Sequence, residues 1–438
     1  MRKLTVGFGK EKVMPQTVMP LGGVGLVGRE YTGIHDELYI TCIAFTDEAG
    51  KTVLVYTQDF LKSEPCYVDP AKEEVSQATG IPVENIMIAS THTHAAPAIY
   101  YNKAPGVEEY RKTYREAAVK AAQTALADRS AADIYVGTTQ AEGMAFSRHY
   151  IMPDGSIQKT PGKSKNPVAH PDEPDQQVQL VRFARGEERQ DIILIGFTIH
   201  PTFFGKHSQT VISADVACVR DYVEEKTGAL AAYFTGAAGN QTGVSQIAAE
   251  DHGMDFDAYC QKLGRYVVDT LPKLLPVSTG EIRLKNIVYS AKSHKEKIEL
   301  YDEACEIARV YMQGGQEAIK PLLEASRITT LWEANAIKAR YEAADTVDMP
   351  LSALSVGGLS FVFAPYEMFA PNSVYIKNNT PFDMTFVVSC ANGSDSYLPT
   401  KKACAYPVYE SYVTRFAPGT AELIADTFLD MLNHLKNS

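Results

Sequence analysis

The chain has 438 residues, 45% hydrophobic and 22% charged, a composition that excludes intrinsic disorder and supplies a sizeable core. Lys and Arg number 42 against 53 Asp and Glu, a formal charge of −11, and an acidic surface repels nucleic-acid phosphates and anionic lipid headgroups. The expected partner is a small-molecule substrate, with no nucleic acid and no stable membrane insertion; composition leaves a homo-oligomer open.

Arg2 and Lys3 open the chain with no apolar stretch of signal-peptide length behind them, which predicts a cytoplasmic protein. Apolar, β-branched runs bounded by turn residues predict strands at 4–8, 39–45, 53–56, 86–89, 134–136, 178–183, 192–199 and 231–234. Between them, 106–128 reads as a helix, with Tyr110, Tyr114, Ala117, Ala118, Ala121 and Ala125 on one face. Residues 152–174 hold Pro153, Pro161, Pro167, Pro171 and Pro174 and predict a long irregular loop. Helices are predicted at 216–228 and 255–274, and two or three across 300–345; strands resume at 281–290, 353–363 and 385–389. The apolar stretch 351–370 is broken by Ser352, Ser355, Ser360, Gly357 and Gly358, so it reads as two strands and a turn rather than a membrane span. The alternation implies an α/β (mixed α+β) fold, layered mixed sheets flanked by helices, with 1–438 as a single unit. The seven cysteines form no CxxC pair and read as reduced, mostly buried thiols.

Four groups of chemistry-bearing residues follow predicted strands, where sites assemble in α/β sheets. Ser90-Thr91-His92-Thr93-His94 follows 86–89, and i and i+2 on extended chain can place both imidazoles toward one cleft. His200-Pro201-Thr202 closes 192–199, Glu367 follows 361–364, and Tyr397, Tyr406 and Tyr409 lie beyond 386–389. Two imidazoles, a carboxylate and an oxygen suit a divalent ion such as zinc, while HExxH is absent. Each group also has a bland reading: a satisfied strand-end histidine, a solvated carboxylate, a packed tyrosine cluster. The loop from Gly236 to Gly243 could bring backbone N–H groups to a ligand and offers the Thr242 hydroxyl, or it could be a tight glycine turn. His35, His149, His170 and His207 are further histidines that could approach the site, His207 as an alternative ligand.

Taken together, Val6-Gly7-Phe8-Gly9, Gly33-Ile34-His35, Gln58-Asp59, Thr91-His92-Thr93-His94, His200-Pro201-Thr202, Ser213-Ala214-Asp215 and Pro365-Tyr366-Glu367 resemble the catalytic, N-terminal domain of the neutral/alkaline non-lysosomal ceramidases. That resemblance implies one zinc ion held by His92, His200, Glu367 and Tyr397, another first-row divalent metal being an option. It also implies that His94, Arg148, Tyr406 and Tyr409 contact substrate or transition state. Thr242 stands near where that family carries a serine with a nucleophilic or supporting role. The immunoglobulin-like C-terminal domain of the secreted members is not expected here. The implied activity is zinc-dependent amide hydrolysis, on a soluble polar substrate rather than membrane ceramide. The alternatives are a metal-dependent lyase or isomerase acting on a hydroxylated or sugar-like compound, and a non-catalytic binding homologue.

Overall fold

Most sheet strands of this protein are apolar on both faces, so each sheet must be covered on both sides. The computed structural model, which describes residues 4–23, 30–187, 189–204, 211–250 and 253–438, shows how this is done. One five-stranded sheet has the order Ile86–Ser90, Thr52–Gln58, Tyr39–Thr46, Thr5–Lys12, Ser130–Ala131, with the first pair parallel and the others antiparallel. A second has the order Leu230–Thr235, Ile192–Phe197, Gln177–Ala184, Asp133–Gln140, Leu275–Val277, again with one parallel pair at its first edge. A four-stranded third sheet runs Ile282–Lys292, Thr346–Val356, Leu359–Phe363, Met384–Val388.

The helices in chain order are α1 (Pro65–Thr79), α2 (Val107–Ala127), α3 (Val219–Thr227), α4 (Phe256–Thr270), α5 (Tyr301–Ala325), α6 (Leu331–Glu342), α7 (Ala370–Asn379), α8 (Tyr409–Val413) and α9 (Thr420–Asn437). Helices α1 to α4 cover the outer faces of the first two sheets in one apolar cluster. The inner faces of all three sheets meet in a second cluster, where Phe45 packs on Phe183 and Phe361 at 5.4 and 6.3 Å between ring centres. Helices α7 and α9 close the far side of the third sheet. The layers therefore run helix, sheet, sheet, helix, and α5 with α6 form a satellite hairpin holding its own cluster around Ile307, Ile319 and Ile337.

The predicted strands and the 106–128 helix are present, and the α/β class holds. Residues 351–363 form a hairpin turning at Gly357, which has φ 61°. The 300–345 region is two helices, the first broken at Gly315, where φ is 69°. Helices α1, α7 and α9 were not anticipated. The cysteine reading needs correction: Cys42, Cys260 and Cys390 are buried, whereas Cys66 is exposed and Cys218, Cys305 and Cys404 are half-buried. No helix among the described residues is long and apolar enough to cross a membrane.

Candidate metal centre

The parallel strands Thr52–Gln58 and Ile86–Ser90 end side by side, and the chain beyond Ser90 is pinned at once. Thr91 N–H donates to Gln58 C=O at 2.8 Å, His92 N–H donates to Phe60 C=O at 3.0 Å, and Thr235 Oγ1 donates to Thr91 C=O at 2.7 Å. These bonds hold His92 at φ 67°, a left-handed conformation that is costly for a non-glycine residue and typical of functional sites. The buried His92 ring then places Nδ1 2.6 Å from Leu61 C=O, so Nδ1 carries a proton and donates, and Nε2 is left facing inward.

His200 arrives from the second sheet, where Ile192–Phe197 pairs in parallel with Leu230–Thr235, and its N–H donates to Gln241 C=O at 3.3 Å. The rings of His92, His94 and His200 lie 4.6 to 5.0 Å apart, and one nitrogen of each falls within 4.8 Å of the others, a spacing that can hold a metal ion. Glu367 comes from beyond the third sheet, in a short parallel pairing with Tyr397 as its register partner, so both side chains share one face. Glu367 Oε2 is 3.4 Å from His92 Nε2 and 3.6 Å from His200 Nδ1.

These three buried atoms have no hydrogen-bond partner among the described residues. Burial alone would lower the His92 pKa, but Cys390 and Glu367 outweigh it and raise the ring well above its usual value, so Nε2 carries either a proton toward the carboxylate or a lone pair for a metal ion. Burial, together with the positive charge of Arg148 and His92, holds the His200 imidazole well below its usual pKa and therefore neutral. Burial would raise the Glu367 carboxyl, but His92 and Arg148 outweigh it and hold the group below the usual carboxylate range. Burial and the Glu367 charge push the Tyr397 phenol well up. A proton on His92 Nε2 or a metal cation can occupy the point where the two imidazoles and the carboxylate converge, and this donor set suits an ion such as zinc.

Arg148 approaches with its guanidinium 5.2 Å from the Tyr397 ring centre and NH2 2.6 Å from Glu410 Oε1. Glu410, with 0% exposure, also pairs with His149 Nε2 at 3.1 Å and Lys159 Nζ at 2.9 Å. A cavity of about 450 Å³ opens over the site, lined by His92, His94, Glu367, Tyr397 and Tyr409 with Lys62, Glu64, Asp395 and Arg415 around them. A second cavity of about 200 Å³ has His200, Thr242, Phe203 and Val244 in its wall.

Of the residues anticipated from sequence, His92, His94, His200, Glu367, Tyr397, Arg148 and Tyr409 are thus brought together. Thr242 is adjacent to His200 by a strand bridge but lines the second cavity. Tyr406 lines neither cavity; it packs among Phe369, Val408 and Ala403, with Lys402 6.0 Å from its ring centre. The glycine-rich loop serves packing as well: a side chain at Gly239 would strike the Glu367 and Met368 carbonyls, and Gly239 N–H donates to Met368 C=O at 2.8 Å. His35 bonds Asp36, and His170 bonds Glu250 and the His149 carbonyl. His207 lies outside the described residues. Glu410 was missed, although it directly follows Tyr409 in the tyrosine cluster; Lys62, Glu64, Asp395 and Arg415 carry no local signal at all.

The same fold is seen in a crystal structure of neutral ceramidase from Pseudomonas aeruginosa, at TM-score 0.72 and 18% identity over 100% of this chain and 75% of that one. A structure described as ceramidase complexed with C2 aligns equally well, at TM-score 0.72 and 17% identity, over 100% of this chain and 76% of that one. No protein-family model and no curated protein sequence matches the chain. The chain therefore has a neutral ceramidase-like catalytic-domain fold.

Proposed function

We propose that this chain is a zinc-dependent hydrolase that cleaves an amide bond in a small polar substrate, with residues 1–438 acting as one catalytic unit. The convergence of His92 Nε2, His200 Nδ1 and Glu367 Oε2 carries the reading, and the shared fold supports it. Zinc would be held by His92, His200, Glu367 and Tyr397. When bound, such an ion polarises a carbonyl and acidifies water. Arg148 and His94 stabilise negative charge developing on the carbonyl oxygen, and the Leu61 carbonyl fixes the ligating tautomer of His92. Tyr409 shapes the wall of the cavity beside the site and can offer its hydroxyl to substrate. Thr242 lines the second cavity rather than the one that holds His92 and Glu367, so the reading assigns the attacking oxygen to water rather than to the threonine hydroxyl. The ionisable rim of the larger cavity favours a polar substrate over a long-chain lipid.

The three clustered histidines suggest a different ligand set in which His94 replaces Glu367. Elemental analysis of folded variants separates the two. About one zinc per wild-type chain is expected, lost in His92→Ala, His200→Ala and Glu367→Gln but kept in His94→Ala, with amine release from N-acyl substrates abolished wherever zinc is lost. Zinc retained in Glu367→Gln and lost in His94→Ala would overturn the proposed set; no zinc in reconstituted wild type would overturn the function.

A further inference from the structure

We infer that Trp332, standing against Tyr409 beside the larger cavity, forms an aromatic platform that stacks on the ring of a hydroxylated, sugar-like amide. The inference rests on the amide-hydrolase reading and names its substrate class. Trp332 is the chain's one tryptophan, and it is 57% exposed, unusual for so large an apolar ring. Its indole sits edge-on to Tyr409, with ring centres 5.1 Å apart and planes at 80°. Tyr409 in turn lines the cavity that holds His92, His94 and Glu367.

The exposed indole is held in place. Thr330 caps α6 by accepting from Glu333 N–H at 3.1 Å, and the Glu333 carboxylate accepts from Thr329 N–H at 2.7 Å. Arg340 on the same helix donates to the Ser411 and Tyr412 carbonyls of α8 at 2.8 and 2.9 Å. The hairpin is thereby fastened to the short helix that carries Tyr409.

In the lining of the same cavity, Lys62, Glu64, Ser394, Asp395, Ser396 and Arg415 offer donors and acceptors of both signs. A hydroxylated ring matches both features, with hydroxyls bonding the polar lining and its C–H face resting on the exposed indole, which stands at 80° to Tyr409. An alkyl chain would strip water from four ionisable groups without replacing their bonds.

The single tryptophan lets the test be read directly. Zinc-loaded protein is titrated with N-acetylglucosamine and with linear N-acetylethanolamine. Trp332 emission is followed in wild type, calorimetric affinity in wild type and Trp332→Leu, and zinc content and amine release in all samples. The expected result is a saturable emission change with the ring probe, about tenfold weaker ring binding in Trp332→Leu, and less than a twofold change for the linear probe. Equal weakening of both probes, ring binding with silent emission, or no ring binding at all would overturn the platform. So would an emission change that follows protein concentration, which would assign the indole to a second copy of the chain. With zinc bound, hydrolysis with a silent indole leaves the hydrolase reading standing while the platform falls. A saturable indole response without amine release from either probe does the reverse.

Discussion

A carboxylate with no access to solvent, bonded by Arg148, His149 and Lys159, governs the charge balance on the Arg148 side of the cavity. Burial alone would raise the Glu410 pKa, but Arg148, His149 and Lys159 reverse this and hold it far below the usual carboxylate range. Glu410→Gln keeps the shape and removes the charge, leaving the buried Arg148 and the half-buried Lys159 without compensation. A loss of about 3 kcal/mol in unfolding free energy is expected, with turnover falling about 10²-fold as Arg148 shifts from Tyr397. Because the folded pKa is depressed, this stabilisation is complete above the unfolded value near 4.5 and fades as pH falls toward the folded value. Urea midpoints of wild type and Glu410→Gln at pH 7 and pH 3 check it; the gap should be wide at pH 7 and narrowed at pH 3. An equal gap at both would show that packing, not charge, is what Glu410 supplies. At this scale the sequence revealed the residues with chemistry of their own, His92, His200 and Glu367. It hid Glu410, whose role exists only because Arg148, His149 and Lys159 arrive from 251 to 262 residues away.

Among the elements, strands were legible because sheets covered on both faces need unbroken apolar runs. Thr52–Gln58, Ile86–Ser90, Ile192–Phe197, Leu359–Phe363 and Met384–Val388 are buried at every position. Helix α1 escaped notice because Pro70 interrupts it and Pro65 opens it, punctuation that reads as loop. Helix α9 was missed although Ile424, Phe428, Leu432 and Leu435 form a plain apolar stripe. The glycines of Val6-Gly7-Phe8-Gly9 have a packing cause. A side chain at Gly9 would collide with the Ala121 carbonyl and lie 2.9 Å from Ala125 N, so the strand Thr5–Lys12 lies flush on α2 only without one. Gly9→Ala should lower stability by about 1–3 kcal/mol through forced separation of strand and helix. Gly33→Ala, where the added carbon meets Val211 at an ordinary 3.6 Å, should change it by less than about 0.5 kcal/mol. Equal urea midpoints for the two variants would remove close packing as the reason for Gly9.

For the molecule as a whole, the site is a junction of sheets. His92 follows a strand of the first, His200 a strand of the second, and Glu367 and Tyr397 the strands of the third. No stretch of sequence could show that meeting, because it depends on pairings between strands far apart along the chain. An ion shared by these ligands binds the folded state alone, so its affinity adds to stability, by about 4 kcal/mol at a free concentration a thousand times Kd. Removing it with a chelator should therefore lower the melting temperature by about 5 °C, and added zinc should restore it. Magnesium should not, because two imidazole donors suit a borderline ion and not a hard one. His92→Ala and His200→Ala proteins should melt at one temperature with or without chelator. Calorimetric scans of the three proteins, each in chelator, zinc and magnesium, decide it: a wild-type melting temperature indifferent to all three would mean that no ion ties the sheets together.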